Sequence, residues 1–159
     1  MSVIKGYELL ISKYYPLNRV LLSALTTSGR YAGPREALFH ALIRRNYGCT
    51  HIIIGRDHAG AGNYYGMYDS QNLCIKYEDA LGIRIIRYKE PYYCWICNTI
   101  TNENACKHIK SDPSSIEFIS GSKIRSLLSD GLKPPHYVMR PEVVKAIQLK
   151  NMFVSENEK

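Results

Sequence analysis

With 159 residues, 45% of them hydrophobic, the chain has the apolar content for one globular domain with a core and is short for two. No stretch of about 18 apolar residues occurs, and the N-terminal MSVIKGYELLISKYY lacks the apolar core and small-residue cleavage site of a signal peptide, so a cytoplasmic protein with no membrane partner is expected. Lys plus Arg outnumber Asp plus Glu by 21 to 14, a formal charge of +7 that favours anionic ligands; the cations are scattered rather than run together, so nucleic acid is not the expected partner.

Residues 1–15 carry Ile4, Leu9, Leu10 and Ile11 near helical spacing, and Pro16 ends the pattern. VLLSAL at 20–25 is a short apolar run between turn residues, which predicts a strand buried on both faces. The segment AGPREALFHALIRRNYG follows, with Pro34 near its start, Gly48 past its end and an apolar stripe at Leu38, Leu42 and Ile43, which predicts a helix of about four turns. β-Branched Ile52, Ile53 and Ile54 then run into a glycine loop, completing a β–α–β unit whose ligands belong at the carboxyl ends of its strands. Further on, 68–77 reads as a helix, 83–88 as a strand, 91–115 as a polar cysteine-bearing insertion, and 116–119 as a short strand. Helices at 120–129 and 141–150 flank a Gly-Pro-Pro turn, and the chain closes on a tail expected to fray from 152.

Two loops carry chemistry. In Gly55-Arg56-Asp57-His58-Ala59-Gly60-Ala61-Gly62 the glycines let the backbone approach an anion, the Arg56 fork suits phosphate or sulfate oxygens, and His58 can donate to an oxygen that gains charge. The bland reading of the same residues is a glycine turn in which Asp57 caps the next helix. In Ile119-Ser120-Gly121-Ser122-Lys123-Ile124-Arg125 a strand becomes a helix whose first N–H groups and hydroxyls can bind phosphate, with Lys123 and Arg125 adding charge. A plain N-cap with solvated cations is the even alternative. His40, among apolar residues, and His51, opening a strand, read as structural, and Asp69 and Gln71 as packing residues.

Five cysteines is an odd number, and Cys94, Cys97 and Cys106 crowd together while Cys49 and Cys74 stand alone. That is no secreted disulfide framework; in a cytosolic chain it points to metal, with free cysteines in a plain loop as the alternative and a redox Cys-x-x-Cys behind that, since such a pair should open a helix whereas Cys94 follows a strand and Pro91. Cys94-x-x-Cys97 followed by Cys106-x-His108 supplies four ligands for a tetrahedral structural zinc, remote from the glycine loop because a closed site leaves no coordination position for substrate. The second pair is tighter than usual, which makes His108 the weakest assignment, with water or Asp112 as its stand-in.

The segments RYAGPREA at 30–37, RRNYGCTH at 44–51, GRDHAG at 55–60, ISGSKIR at 119–125 and RPEV at 140–143 together resemble, in order and over almost the whole chain, the C-terminal half of the ATP sulfurylase (sulfate adenylyltransferase) catalytic domain. The resemblance implies an α/β fold, a Rossmann-like nucleotidylyltransferase parallel sheet present in part, with a small zinc-binding insertion such as bacterial and archaeal-type members carry. It implies transfer of AMP from ATP to sulfate, giving adenosine phosphosulfate and pyrophosphate, with Mg accompanying ATP and an N-terminal half chain or a homo-oligomer as partner. Arg56 and His58 become the catalytic residues, the loop from Gly55 through Asp57, Ala59 and Gly60 to Ala61 an ATP and sulfate cradle, and Ser120, Gly121, Ser122, Lys123 and Arg125 its counterpart across the nucleotide. The family's Gln-x-Arg-Asn-Pro-x-His-x-x-His motif does not occur in these residues, so the chain alone is expected to be inactive. Gly29 stands where relatives carry a methionine, and Ser122 where they carry threonine. A non-catalytic nucleotide-binding or partner-subunit module is the alternative; a zinc-ribbon RNA-binding domain ranks third.

Overall fold

The computed structural model describes residues 2–147. The tail from 152 and the last residues of the helix expected at 141–150 lie outside them. In chain order the elements are α1 (Ser2–Tyr14), α2 (Pro34–Asn46), β1 (His51–Ile54), α3 (Asp69–Lys76), α4 (Glu78–Leu81), β2 (Arg84–Arg87), β3 (Tyr92–Cys94), β4 (Thr99–Thr101), α5 (His108–Ser111), a 3-10 turn (Pro113–Ser115), β5 (Ile116–Phe118), α6 (Gly121–Ser129) and α7 (Pro141–Ala146). They fall into two compact units, one made of the chain up to Leu25 and from Glu117 onward, the other of Thr26–Ile116.

In the first unit α1 packs on α7, and a Cβ added at Gly6 would sit 3.5 Å from Val143 Cγ1, so the small residue sets a close approach. The Tyr14 hydroxyl donates to the Glu142 carboxylate, and the Arg140 guanidinium lies 4.1 Å from the centre of the Tyr14 ring. The strand expected at 20–25 does not form, and Leu21 there is 91% exposed. A buried strand needs a neighbour on its hydrogen-bonding edge, and no described strand offers one to this run.

The second unit is α/β with a parallel sheet. β1 and β2 pair in parallel, from His51 opposite Arg84 to Ile54 opposite Arg87, and the crossover between them is α3 and α4. The β–α–β unit is therefore one step further along the chain than the sequence reading put it. Its core is Ala37 and Ala41 of α2, Ile52 and Ile54 of β1, and Cys74, Leu81, Ile83 and Ile85. Each buried isoleucine contributes about 1.5–3 kcal/mol. Ile53 is 57% exposed, so β1 alternates instead of being covered on both faces. On α2 the fully buried residues are Ala37, Ala41 and Glu36; of the expected stripe Leu38 packs against this core, Ile43 is half-buried and Leu42 is exposed. Two alanines a turn apart let α2 come close to its neighbours, and the larger residues lie off that line.

The insertion at 91–115 has its own small frame. β3 and β4 pair antiparallel, with Cys94 opposite Thr99, through a turn in which Asn98 takes the left-handed conformation at φ 52°. Trp95 N–H donates to Ser115 O at 2.9 Å, and the three-stranded sheet runs β4-β3-β5. Its apolar content is slight: Tyr92, with Ile109 and Ile116 around Cys94 and Cys106. No described helix is long and apolar enough to cross a membrane.

Candidate functional site

The loop at 55–61 leaves the carboxyl end of β1 and is shaped by left-handed residues in alternation: Asp57 (φ 49°) and Ala59 (φ 57°) are the positive ones within it. Such an alternation turns successive N–H groups to one side, the geometry of an anion-binding nest. Two of them are used internally, Asp57 N–H to Met67 O at 2.8 Å and Gly60 N–H to Asp57 O at 3.1 Å. Those of His58, Ala59 and Ala61 have no partner among the described residues. A Cβ at Gly60 would meet the Asp57 carboxylate, which would have to swing aside. Asp57 does not cap α3, whose start carries no side-chain cap.

The loop is held from behind. Gly33 N–H donates to Ala59 O at 2.8 Å, tying the start of α2 to the loop, and Gly33 needs to be glycine because its φ is 53° and the Tyr65 ring fills the space of a Cβ. Ser70 Oγ donates to His58 O at 2.9 Å. The buried Gln71 amide donates to Ile54 O at 3.0 Å and to Tyr88 O at 2.9 Å, clamping the ends of both parallel strands. Arg56 pairs with Glu90 at 2.7 Å, so its fork is already partly engaged.

Behind the loop lies a polar row on α2. The Glu36 carboxylate accepts from Ala32 N–H at 2.9 Å and Arg30 N–H at 3.1 Å, which hold it below the usual carboxylate range. His40 Nε2 is 3.6 Å from Glu36 Oε1, and His40 Nδ1 is 3.1 Å from His58 Nε2. Burial lowers the His58 pKa, the nearby His40 and Arg44 lower it further, and Glu36 opposes them. Sequence reasoning assigned His40 and Gln71 to packing and passed over Glu36, Ser70 and Arg44. The signal was available for three of them: Glu36, His40 and Arg44 recur every four residues along one face of α2.

The residues 120–125 lie in the first unit. Ser120 is the N-cap of α6, its Oγ accepting from Lys123 N–H at 3.1 Å. Lys123 Nζ donates to Glu117 Oε1 at 2.8 Å, and Arg125 donates to Ser122 Oγ at 3.1 Å. The N-cap reading thus describes Ser120, and Glu117 is the partner that sequence reasoning missed.

Cys94, Cys97, Cys106 and His108 converge, with their ligand atoms all within 4.8 Å of one another. His108 Nδ1 is 3.5 Å from Cys94 Sγ, 3.2 Å from Cys97 Sγ and 3.5 Å from Cys106 Sγ, and the last two sulfurs are 3.7 Å apart. Strand register delivers Cys94, the β3–β4 turn brings Cys97 under it, and α5 opens with His108. His108, the weakest assignment from spacing, faces all three sulfurs, while Asp112 Oδ1 accepts from Ser114 Oγ at 2.5 Å. Burial raises the Cys94 thiol, but donors from Cys97, Cys106 and Ile96 outweigh it and hold Cys94 at about 6, whereas Cys97 is pushed up to about 11 by its contacts with Cys94 and Cys106. One thiolate is stable among these groups; more than one calls for a cation. The four residues could hold a metal ion.

The ATP-sulfurylase family model matches residues 2–149. The chain is 46% identical over 146 residues to a sulfate adenylyltransferase of Ignicoccus hospitalis, covering 91% of this chain and 37% of that protein. It is 46% identical over 153 residues to one of Pyrococcus abyssi, covering 96% and 39%. Among solved structures, a hexameric APS kinase from Thiobacillus denitrificans shares the fold at TM-score 0.62 and 22% identity, over 91% of this chain and 26% of that one. The chain thus spans 37–39% of the length of these curated relatives. On the extent of the family match and on these identities, the chain belongs to the ATP-sulfurylase family.

Proposed function

We propose that this chain supplies the ATP-phosphate part of a sulfate adenylyltransferase site, on a Rossmann-like sheet that is complete only with further strands. The observation that carries the reading is the nest at 55–61, with three unpartnered N–H groups at the carboxyl end of a parallel strand. In this reading Gly55 through Ala61 cradle the phosphates, Arg56 and His58 stabilise charge on the α-phosphoryl as a sulfate oxygen attacks in line, and the Ala61 N–H turns toward sulfate. Ser120, Gly121, Ser122, Lys123 and Arg125 offer a helix N-terminus and two cations to the nucleotide. Mg enters with ATP. Positioning and charge stabilisation carry such a reaction, with no covalent enzyme intermediate.

For the insertion the reading is one structural zinc. Tetrahedral zinc with Zn–S of about 2.3 Å puts sulfurs about 3.8 Å apart and sulfur and nitrogen about 3.5 Å apart. The spacings of 3.7 Å and 3.2–3.5 Å found here support it.

The test is thermal protection by a non-hydrolysable ATP analogue, lost in Arg56→Ala, together with pyrophosphate release. The chain alone is expected to be protected yet to release no sulfate-dependent pyrophosphate, since it lacks the Gln-x-Arg-Asn-Pro-x-His-x-x-His motif. Absence of protection rejects the nucleotide reading, and RNA binding that weakens steeply with salt would replace it. A second reading, a non-catalytic nucleotide-binding module, is favoured by the pairing of Arg56 with Glu90 and Lys123 with Glu117. It predicts protection that Arg56→Ala leaves intact, because Arg56 then serves the fold and not the ligand.

A further inference from the structure

The row Glu36, His40, His58 forms a chain of contacts that ends at the loop. His58 Nε2 faces His40 Nδ1 at 3.1 Å, so one of these nitrogens carries the proton between them. His40 Nε2 lies 3.6 Å from a carboxylate that Ala32 and Arg30 N–H hold ionised, and a negative oxygen at that distance favours N–H over a lone pair there. In a neutral His40, the proton on Nε2 makes Nδ1 the acceptor. His58 then donates from Nε2, and its own Nδ1 is a bare lone pair. That Nδ1 has no hydrogen-bond partner, and Arg44 Nη1 is the sole buried side-chain nitrogen or oxygen without one among the described residues, so Nδ1 opens to solvent.

A lone pair repels an anion. Resting on the phosphate reading of the loop, we propose that Glu36 and His40 are positioning residues that set the tautomer of His58, and that an arriving polyphosphate draws one proton from solvent into the pair. With that proton added, His40 carries N–H on both nitrogens, its Nδ1–H donates to His58 Nε2, and His58 Nδ1–H donates to the anion. The loop thus changes from acceptor to donor at His58. The charges that act on the ring are Glu36, His40 and Arg44 from α2, while α3 contributes the neutral Ser70, bonded to the His58 carbonyl; Arg56 of the loop is paired with Glu90. Arg44, with its Nη1 unpartnered, opposes protonation while the loop is empty. A bound anion offsets that opposition.

Long-range proton–nitrogen NMR of the whole chain reads the first half. In the ligand-free protein above about pH 7.5 His58 is expected to carry its proton on Nε2, and Glu36→Gln to mix the two tautomers. Calorimetric titration with inorganic tripolyphosphate in buffers of different ionisation enthalpy reads the second. Uptake near one proton is expected, with affinity falling about tenfold per pH unit above neutrality. His40→Gln keeps a hydrogen-bonding side chain and flattens that slope; should it fail to fold, the wild-type slope decides alone. A proton on His58 Nδ1 in the free protein, or binding without proton uptake, overturns the proposal. No binding of tripolyphosphate overturns both the uptake and the phosphate reading, whereas binding without uptake overturns the relay alone.

Discussion

The insertion at 91–115 and the loop at 55–61 belong to the same unit, and both gather polar groups that a folded chain ordinarily keeps apart. They do so in opposite senses. In the insertion four donors converge on one point, with Cys94 fully buried and Cys106 nearly so, and little apolar surface surrounds them. In the loop the N–H groups of His58, Ala59 and Ala61 have no partner among the described residues, while carbonyls of the same loop accept from Gly33 and Ser70. Convergent donors stabilise the chain that bears them once a cation joins. Donors the fold leaves unpaired, on a loop whose carbonyls are bonded, are open to solvent or to an anion.

That contrast predicts a separation of effects. Cys106→Ser should abolish stoichiometric metal, and because structural zinc is worth about 10–16 kcal/mol in small metal-bound peptides, the insertion should unfold. Elemental analysis shows the metal loss, and hydrogen exchange should report opening confined to 91–118 with the β1–β2 ladder intact. Loss of ATP-analogue protection in the same variant would break the comparison, because the loop would then depend on the metal.

The next largest effect lies behind the loop. Gln71→Leu leaves Ile54 O and Tyr88 O without the amide that joins them, and an orphaned buried group costs about 1–3 kcal/mol, so chemical denaturation should register a loss of about 2–4 kcal/mol. Metal content should stay at wild-type level, which sharpens the distinction between the two regions.

Glu36 supplies the pH dependence. Its folded pKa is below the ordinary 4.5, so its contribution to stability is fully present above that value and is lost as pH falls through the folded pKa. Glu36→Gln should therefore destabilise the protein at neutral pH and make its stability less steep on acidification below about pH 4.5, as followed by thermal melts across that range. An unchanged acid slope would show that the Arg30 and Ala32 contacts do not keep the carboxylate ionised.

How much of this was legible follows from what each signal encodes. Periodicity located α1, α2, α3, β2, β5 and α6, and cysteine spacing named all four residues that could hold a metal, because both signals are local. The run at 20–25 has the composition of a buried strand, yet whether a partner strand stands beside it is not encoded in the run itself. On α2 the large apolar residues carry the periodic signal, whereas close packing selects Ala37 and Ala41 and carries Glu36 inside with them. His40 looked structural because its neighbours in sequence are apolar; its neighbours in space are Glu36 and His58. The glycine loop was recognised from its glycines, but the conformation that exposes its N–H groups rests on Asp57 and Ala59, which composition does not mark.

Ala59 gives the smallest and most discriminating effect. A non-glycine residue at φ 57° costs roughly 1–2 kcal/mol relative to glycine in the same conformation. Glycine in its place would relieve that strain, but it would also widen the unfolded ensemble and oppose folding by about 0.4–1 kcal/mol. The difference leaves Ala59→Gly between neutral and about 1.6 kcal/mol more stable. Ligand binding should respond differently, because relief of strain frees the loop to leave the conformation that keeps three N–H groups unpartnered. Weaker tripolyphosphate binding with no loss of stability is the expected result, measured by calorimetry beside a denaturation curve. Equal affinity in the two proteins would mean that the anion organises the loop on arrival, and the contrast with the converging cysteines of the insertion would then lose its physical basis.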